Sequence, residues 1–67
     1  MSFILKFNDI NEKRQQAFEN YTIGDLIADL KLSTQTVVSK QNGEIVIEDT
    51  VIENGDEIQL IQIIYGG

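Results

Sequence analysis

The chain has 67 residues, of which 42% are hydrophobic and 24% charged, and its formal net charge is −6 at pH 7. A chain of this length forms one domain with a small core, and its apolar content is too high for an intrinsically disordered segment. It contains no Cys and no His, which excludes a disulfide framework, a thiolate nucleophile and the usual general base near neutral pH. An enzyme is therefore the least favoured class.

The acidic balance also bears on the partners of the protein. Nucleic-acid binding needs a basic surface that neutralises phosphates, and an anionic membrane surface disfavours an acidic protein, so we expect no direct binding to either. No stretch approaches the roughly 18 apolar residues of a membrane span, and the first residues do not have the pattern of a signal peptide. We expect a cytoplasmic domain, monomeric when free, that is steered toward basic partners.

The first part of the chain predicts a β-hairpin. Residues 2–7 place Phe and Leu side chains on one side, which is typical of a strand. Residues 8–12 are rich in Asn and Asp and predict a turn. Residues 13–21 are then expected to return as a polar strand at an edge of the sheet.

A short helix is predicted over about residues 23–31. Thr22 is a good N-cap, and Asp25 three residues later predicts a capping box. An i, i+3, i+4, i+7 spacing gives the helix one apolar stripe, which needs a sheet to cover it. The stripe consists of Ile23, Leu26, Ile27 and Leu30.

Three further strands are predicted after the helix. Residues 36–40 and 45–47 flank an Asn-Gly dipeptide, the strongest short hairpin signal. An acidic connection over residues 48–54, with a helical or 3₁₀ turn, leads to the longest strand, residues 57–65. Because this strand is apolar on both faces, it belongs in the middle of the sheet, with the first strand as its neighbour.

This order of elements predicts an α+β fold. A hairpin, a crossing helix and later strands suit a mixed sheet of four to five strands with one helix packed on one face. The arrangement resembles that of a β-grasp. We expect the domain to span residues 1–65 and residues 66–67 to form a flexible tail.

Acidic side chains are the most abundant candidates for a metal or catalytic site. The domain offers little cleft in which carboxylates could converge, so we interpret them as solvated loop acids and expect no metal site. Lys40 is interpreted in the same way, as an exposed lysine at a strand end. The densest acidic pairs are Glu48 with Asp49 and Asp56 with Glu57.

The remaining motif is Gly66-Gly67, directly after the last strand. Two glycines can pass through a channel too narrow for any other residue. If residue 67 is the natural end of the protein, Gly67 presents a sterically bare α-carboxylate. Adenylation by ATP would turn that carboxylate into an acyl-adenylate that a sulfide, thiol or amine can attack.

The chain resembles the ThiS/MoaD sulfur-carrier family of ubiquitin-like β-grasp proteins. The resemblance is carried by residues 54–58, where a Gly-Asp turn leads into the last strand, and by residues 63–67, which end in Gly-Gly. The helix stripe and residues 42–46 also lie where that family has them. Tyr65 stands where a thiamine-type carrier would have a small residue, which favours a role in tRNA thiolation or protein modification.

The resemblance implies a non-enzymatic carrier that partner enzymes act on. An E1-like enzyme would adenylate Gly67 with ATP and magnesium, and a sulfur donor would convert it to a thiocarboxylate. A synthase or thiolase would then take the sulfur for thiamine, molybdopterin or tRNA thiolation, while the chain itself binds no cofactor. Two alternatives stay open: a ubiquitin-like modifier joined through Gly67 to lysines, and a plain β-grasp interaction domain.

The last strand has two rows of side chains, and each row contains one Gln, so polarity alone does not assign the faces. The resemblance favours Ile58 and Leu60 beneath the helix, with the opposite face binding the activating enzyme. Ile61 and Ile63 would then be exposed apolar residues, a feature that often marks a binding site. The expected partner-binding residues are Ile61, Ile63, Tyr65 and Gly66.

Overall fold

A five-stranded mixed sheet with one helix across one face makes up residues 1–63, the part of the chain that the computed structural model describes. The expected domain boundary at residue 65 and the tail at residues 66–67 lie outside these residues. The elements are β1 (Ser2–Phe7), β2 (Ile10–Gln15), α1 (Ile23–Asp29), β3 (Val37–Gln41), β4 (Glu44–Val46) and β5 (Glu57–Gln62).

The strand order is β2-β1-β5-β3-β4, and only β1 and β5 pair in parallel among the described strands. The prediction that the last strand lies in the middle, next to the first, is confirmed. The α+β fold class is confirmed as well, with the sheet at five strands.

The second strand was predicted over residues 13–21, and this was wrong, because β2 begins at Ile10 and ends at Gln15. The turn takes only two residues, since Asn8 adopts the left-handed backbone (φ 54°) that reverses the chain at once, and Phe7 pairs directly with Ile10. The edge position was predicted correctly. A mostly exposed edge strand has no buried row, so alternation could not locate its ends.

The acidic connection over residues 48–54 was predicted to contain a helical or 3₁₀ turn. It contains no helix, but at its start the Thr50 N–H donates to the Ile47 carbonyl (3.1 Å), an i to i+3 hydrogen bond of the 3₁₀ type. The connection then runs along the entry to α1, where the Ile23 N–H donates to the Thr50 carbonyl (2.9 Å) and the Ile52 N–H to the Tyr21 carbonyl (2.8 Å).

The last strand was predicted to end at residue 65, and this was wrong at Ile63, which follows the end of β5 at Gln62, while residues 64 and 65 lie outside the described residues. The other boundaries moved by at most two residues, as helix and strand ends commonly do.

The helix begins as the sequence predicts. The Asp25 N–H donates to Thr22 Oγ1 (3.1 Å), and the Thr22 N–H donates to Asp25 Oδ2 (3.0 Å), which completes the capping box. The stripe is buried at Ile23, Leu26 and Ile27. No helix within residues 1–63 is long and apolar enough to cross a membrane.

The core lies between this helix and one face of the sheet. Ile58 (0% exposed) and Leu60 (2%) belong to it, whereas Ile61 (39%) and Ile63 (38%) are exposed. The expected assignment of the two rows of β5 is therefore confirmed. The ten buried apolar residues are Phe3, Leu5, Tyr21, Ile23, Leu26, Ile27, Val37, Ile52, Ile58 and Leu60.

Asp56 fixes the start of β5 and is not a solvated loop acid as the sequence suggested. Its carboxylate accepts hydrogen bonds from Gln41 Nε2 (2.7 Å), Asn42 Nδ2 (3.0 Å) and the Glu53 N–H (2.8 Å). Burial by itself would raise the pKa of Asp56, but the three hydrogen bonds outweigh it and lower the pKa below its usual value. The carboxylate thus joins the turn before β5 to the β3–β4 hairpin.

Truncating Leu60 should lower the free energy of unfolding more than truncating its exposed neighbour Ile61 does. Leu60→Ala leaves a cavity beneath α1 and should lower the free energy of unfolding by about 2–5 kcal/mol. Ile61→Ala, one position along the same strand, should change it by less than about 1 kcal/mol. Urea denaturation of both variants measures the difference. Equal losses would show that the two rows of β5 are not assigned as described.

Asp56 should make stability depend on pH in the acid range. Because its pKa is lower in the folded protein than in the unfolded chain, its contribution is present above about pH 4 and is lost as the pH falls through the folded value. Asp56→Asn should lower the free energy of unfolding at pH 7 by about 1–3 kcal/mol. At about pH 3, the difference in the free energy of unfolding between Asp56→Asn and the wild type should be smaller.

Urea denaturation at the two pH values tests this, with Asp49→Asn as the matched control at an exposed loop position. The control should stay close to wild type at both values. If the difference in the free energy of unfolding between Asp56→Asn and the wild type did not change with pH, the role given to the ionised carboxylate would be contradicted.

Candidate functional site

The candidate site begins where β5 runs past its neighbour. Pairing with β1 stops at Phe7 opposite Leu60, whereas pairing with β3 continues to Val37 opposite Gln62. The Ile63 N–H then donates to the Thr36 carbonyl (2.7 Å). The last described residues are therefore hydrogen-bonded on the β3 side, and the Gly-Gly motif follows them in the sequence.

Three of the predicted site residues, Tyr65, Gly66 and Gly67, lie outside the described residues. The other two, Ile61 and Ile63, are where the sequence placed them, exposed at the end of β5. Since alternate residues of a strand point to opposite faces, Ile61 lies on the face of the sheet away from α1. The structure thus leaves two of the five predicted site residues open to a partner.

We call the sheet surface opposite α1 the open face. Its strand residues alternate with the buried row and are matched across the strands by the register of the sheet. The open face consists of Ser2, Ile4, Lys6, Asn11, Lys13, Gln15, Val38, Lys40, Ile45, Glu57, Gln59 and Ile61.

An apolar group lies on the open face near the exit of the chain. Val38 is directly opposite Ile61 across the β3–β5 pair, and residues opposite one another in neighbouring strands have side chains in contact range. Ile45, in the edge strand β4, is 73% exposed. Exposed apolar residues that are contiguous mark sites of protein–protein contact more often than isolated ones do.

Sequence reasoning missed the charged residues beside this apolar group. Lys40 lies opposite Ile45 on one side and Gln59 on the other, and Lys6 lies opposite Gln59 from β1. Lys40 is half-buried, so its interpretation as an exposed strand-end lysine was wrong. The alternation of Val38 and Lys40 was visible in the sequence, but the register that brings them against β5 was not.

Side chains with nucleophilic groups are not activated in the described part of the chain. Tyr21 is buried and its hydroxyl donates to the Asp29 carboxylate. Burial and then this hydrogen bond raise the pKa of Tyr21, so the phenol stays protonated at neutral pH. Ser39 is buried beneath the sheet, among apolar side chains.

The acidic pairs do not form a metal site within residues 1–63, where no three acidic side chains converge. Glu57 instead forms an ion pair with Lys6 (3.0 Å) on the open face. A groove of about 470 Å³ is lined by residues of α1, β3, β4 and the loop after β4, among them Glu48 and Asp49 and apolar residues such as Val37 and Val46.

Solved structures with the same architecture support the description of the fold. The crystal structure of SAMP1 from Haloferax volcanii superposes with a TM-score of 0.71 at 19% sequence identity and covers 100% of both chains. The crystal structure of the thiamine biosynthesis protein ThiS from Geobacter metallireducens gives 0.65 at 22% identity and covers 96% of this chain and 99% of that one. At these identities the likeness establishes the fold.

The family is established by the sequence as a whole. The family model described as "ThiS family" matches residues 5–67, which includes the Gly-Gly motif beyond the described residues as well as all five strands but the start of β1. The resemblance seen in the turn before β5 and in the tail is thereby confirmed. The chain belongs to the ThiS family and has the β-grasp fold of the ubiquitin-like sulfur carriers.

Proposed function

We propose that the protein is a sulfur carrier that works through the carboxylate of Gly67. An E1-like enzyme adenylates this carboxylate, a sulfur donor converts it to a thiocarboxylate, and an acceptor enzyme takes the sulfur. The observation that carries the proposal is the ThiS family match, which extends through Gly66 and Gly67. In the sequence, the first of these two glycines lies four residues after the end of β5 at Gln62.

The chemistry follows from the bonds that must change. A carboxylate oxygen of Gly67 attacks the α-phosphorus of ATP, and pyrophosphate leaves. The terminal sulfur of a persulfide then attacks the acyl carbon, and AMP leaves. A second thiol cleaves the resulting S–S bond, so that the thiocarboxylate stays on Gly67 and a disulfide forms on the donor side.

In this proposal the partner enzymes supply the reactive groups, because the chain lacks them. Without Cys the chain supplies neither the persulfide nor the resolving thiol, and without His it lacks the usual proton carrier. The protein is therefore a cosubstrate and not an enzyme in this proposal, and ATP with magnesium is bound by the activating partner. Its partners are that enzyme, a sulfur donor and a cytoplasmic synthase or thiolase.

The open face is the surface that we assign to the activating enzyme. Ile61 is exposed there, and Ile63 is exposed just after the end of β5. A partner bound on them would lie beside the residues that precede the Gly-Gly motif in the sequence. Tyr65 and Gly66 would complete the contact. A central apolar group of this kind supplies most of the binding energy in many interfaces.

A modifier function uses the same first step. After adenylation, an amine of a lysine would attack the acyl carbon of Gly67 and form an isopeptide bond instead of a thiocarboxylate. Tyr65 favours this alternative, or tRNA thiolation, over thiamine synthesis, because a small residue is expected there in a thiamine-type carrier. The two functions are separated by what is found attached to Gly67.

Changing Gly67 should remove the reaction and leave the fold unchanged. Deletion of Gly67, or Gly67→Ala, should reduce ATP–pyrophosphate exchange by the cognate activating enzyme to background, because the added methyl group clashes in a channel that fits only glycine. Ser33→Ala, a small change at an exposed position, is the control and should exchange like wild type. Unchanged exchange by the deletion variant would exclude the mechanism.

A charge placed at Ile61 should weaken binding to the activating enzyme. Ile61→Asp puts a carboxylate in the apolar group of the open face and should raise the dissociation constant about tenfold or more. Ile10→Asp is the matched control, since Ile10 is similarly exposed (43%) but lies on the helix side of the sheet. Calorimetric titration should show wild-type affinity for the control, and equal weakening of both variants would contradict the assignment.

A further inference from the structure

The charges of the protein are divided between the two faces of the sheet. The whole chain carries −6, yet the strands place three lysines and one glutamate on the open face, a formal charge of +2. The lysines are Lys6, Lys13 and Lys40, and the glutamate is Glu57.

The other strand acids point to the helix side. Glu12 lies opposite the buried Leu5, and Glu44 lies opposite Gln41, which is in the helix-side row of β3. The remaining acidic residues are in turns, in loops and in α1. Of the eleven acidic residues of the chain, only Glu57 is therefore among the strand residues of the open face.

Two of the lysines form a row across the middle of the sheet. Lys6 in β1 and Lys40 in β3 both lie opposite Gln59 in β5, so their Cα atoms are about 10 Å apart, twice the spacing of neighbouring strands. Lys6 holds Glu57 at 3.0 Å, while no ion pair to Lys40 occurs among residues 1–63. The row borders the apolar group of Val38, Ile45 and Ile61.

We propose that the open face selects a partner surface that is apolar at its centre and carries carboxylates opposite Lys6 and Lys40. The inference rests on the proposed function in taking the activating enzyme as that partner. A second copy of this chain docked open face to open face is disfavoured, because each face carries a formal charge of +2. The acidic composition predicted a basic partner, whereas the lysines of the open face predict a partner surface that carries acidic side chains.

The net charge of the protein and the charge of the open face favour partner surfaces of opposite sign. At physiological salt, charges act over about 8 Å, so the charge of the open face dominates the last stage of association and the net charge does not. Complementary charges across an interface mainly raise the association rate and fix its register. Removing positive charge from the open face should thus slow association even though it makes the protein more acidic.

Two charge-reversal variants test whether the association rate depends on the charge of the open face or on the net charge of the protein. Lys40→Glu and Lys31→Glu each take the formal charge from −6 to −8, but Lys31 is an exposed residue after α1, outside the open face. Stopped-flow association with the cognate activating enzyme at physiological salt should be about fivefold or more slower for Lys40→Glu and within about twofold of wild type for Lys31→Glu. Equal changes in both variants would overturn the proposal.

Kinetics of adenylation distinguish this inference from the proposed function. In ATP–pyrophosphate exchange, Lys40→Glu should raise KM for the carrier about fivefold or more with little change in kcat, because Gly67 is untouched. Lys40→Gln, which removes the charge without reversing it and is gentler on the fold, should give a smaller rise in KM. No exchange with the wild-type protein would overturn the proposed function, whereas exchange with an unchanged KM for both variants would overturn only the inference.

Discussion

The structure depends on one constraint, the alternation of side chains along β5 in a sheet that has a single helix to cover it. Because α1 covers one face, only one row of β5 can be buried, and that row contains Ile58 and Leu60. Ile61 and Gln59 must then lie on the open face. The central position of β5, between β1 and β3, makes this one choice decide the orientation of the neighbouring strands as well.

Because the two rows of β5 lie on opposite faces, the residues that stabilise the domain differ from those that can contact a partner. Helix-side residues of β5 form the core, and the Asp56 carboxylate holds the start of the strand against the β3–β4 hairpin. The opposite row, together with Lys6 and Lys40, is available to a partner. Substitutions on the open face can therefore change the contacts with a partner and leave the core intact.

Local chemistry and periodicity predicted much of this fold. Thr22 and Asp25 marked the helix start, the Asn-Gly dipeptide formed its hairpin with both residues at positive φ (52° and 88°), and β1 was placed at its observed bounds. The second strand could not be placed, because a polar edge strand has no buried row. Lys40 was misjudged for another reason: its neighbours Gln59 and Ile45 are brought to it by long-range pairing.

Mass spectrometry of the protein isolated from its native host shows whether Gly67 carries sulfur. The C-terminal peptide should contain a fraction whose mass has changed by one sulfur-for-oxygen exchange at Gly67. This fraction should disappear when the activating enzyme is deleted. Finding Gly67 only in isopeptide linkage to lysines, or followed by further residues, would contradict the account.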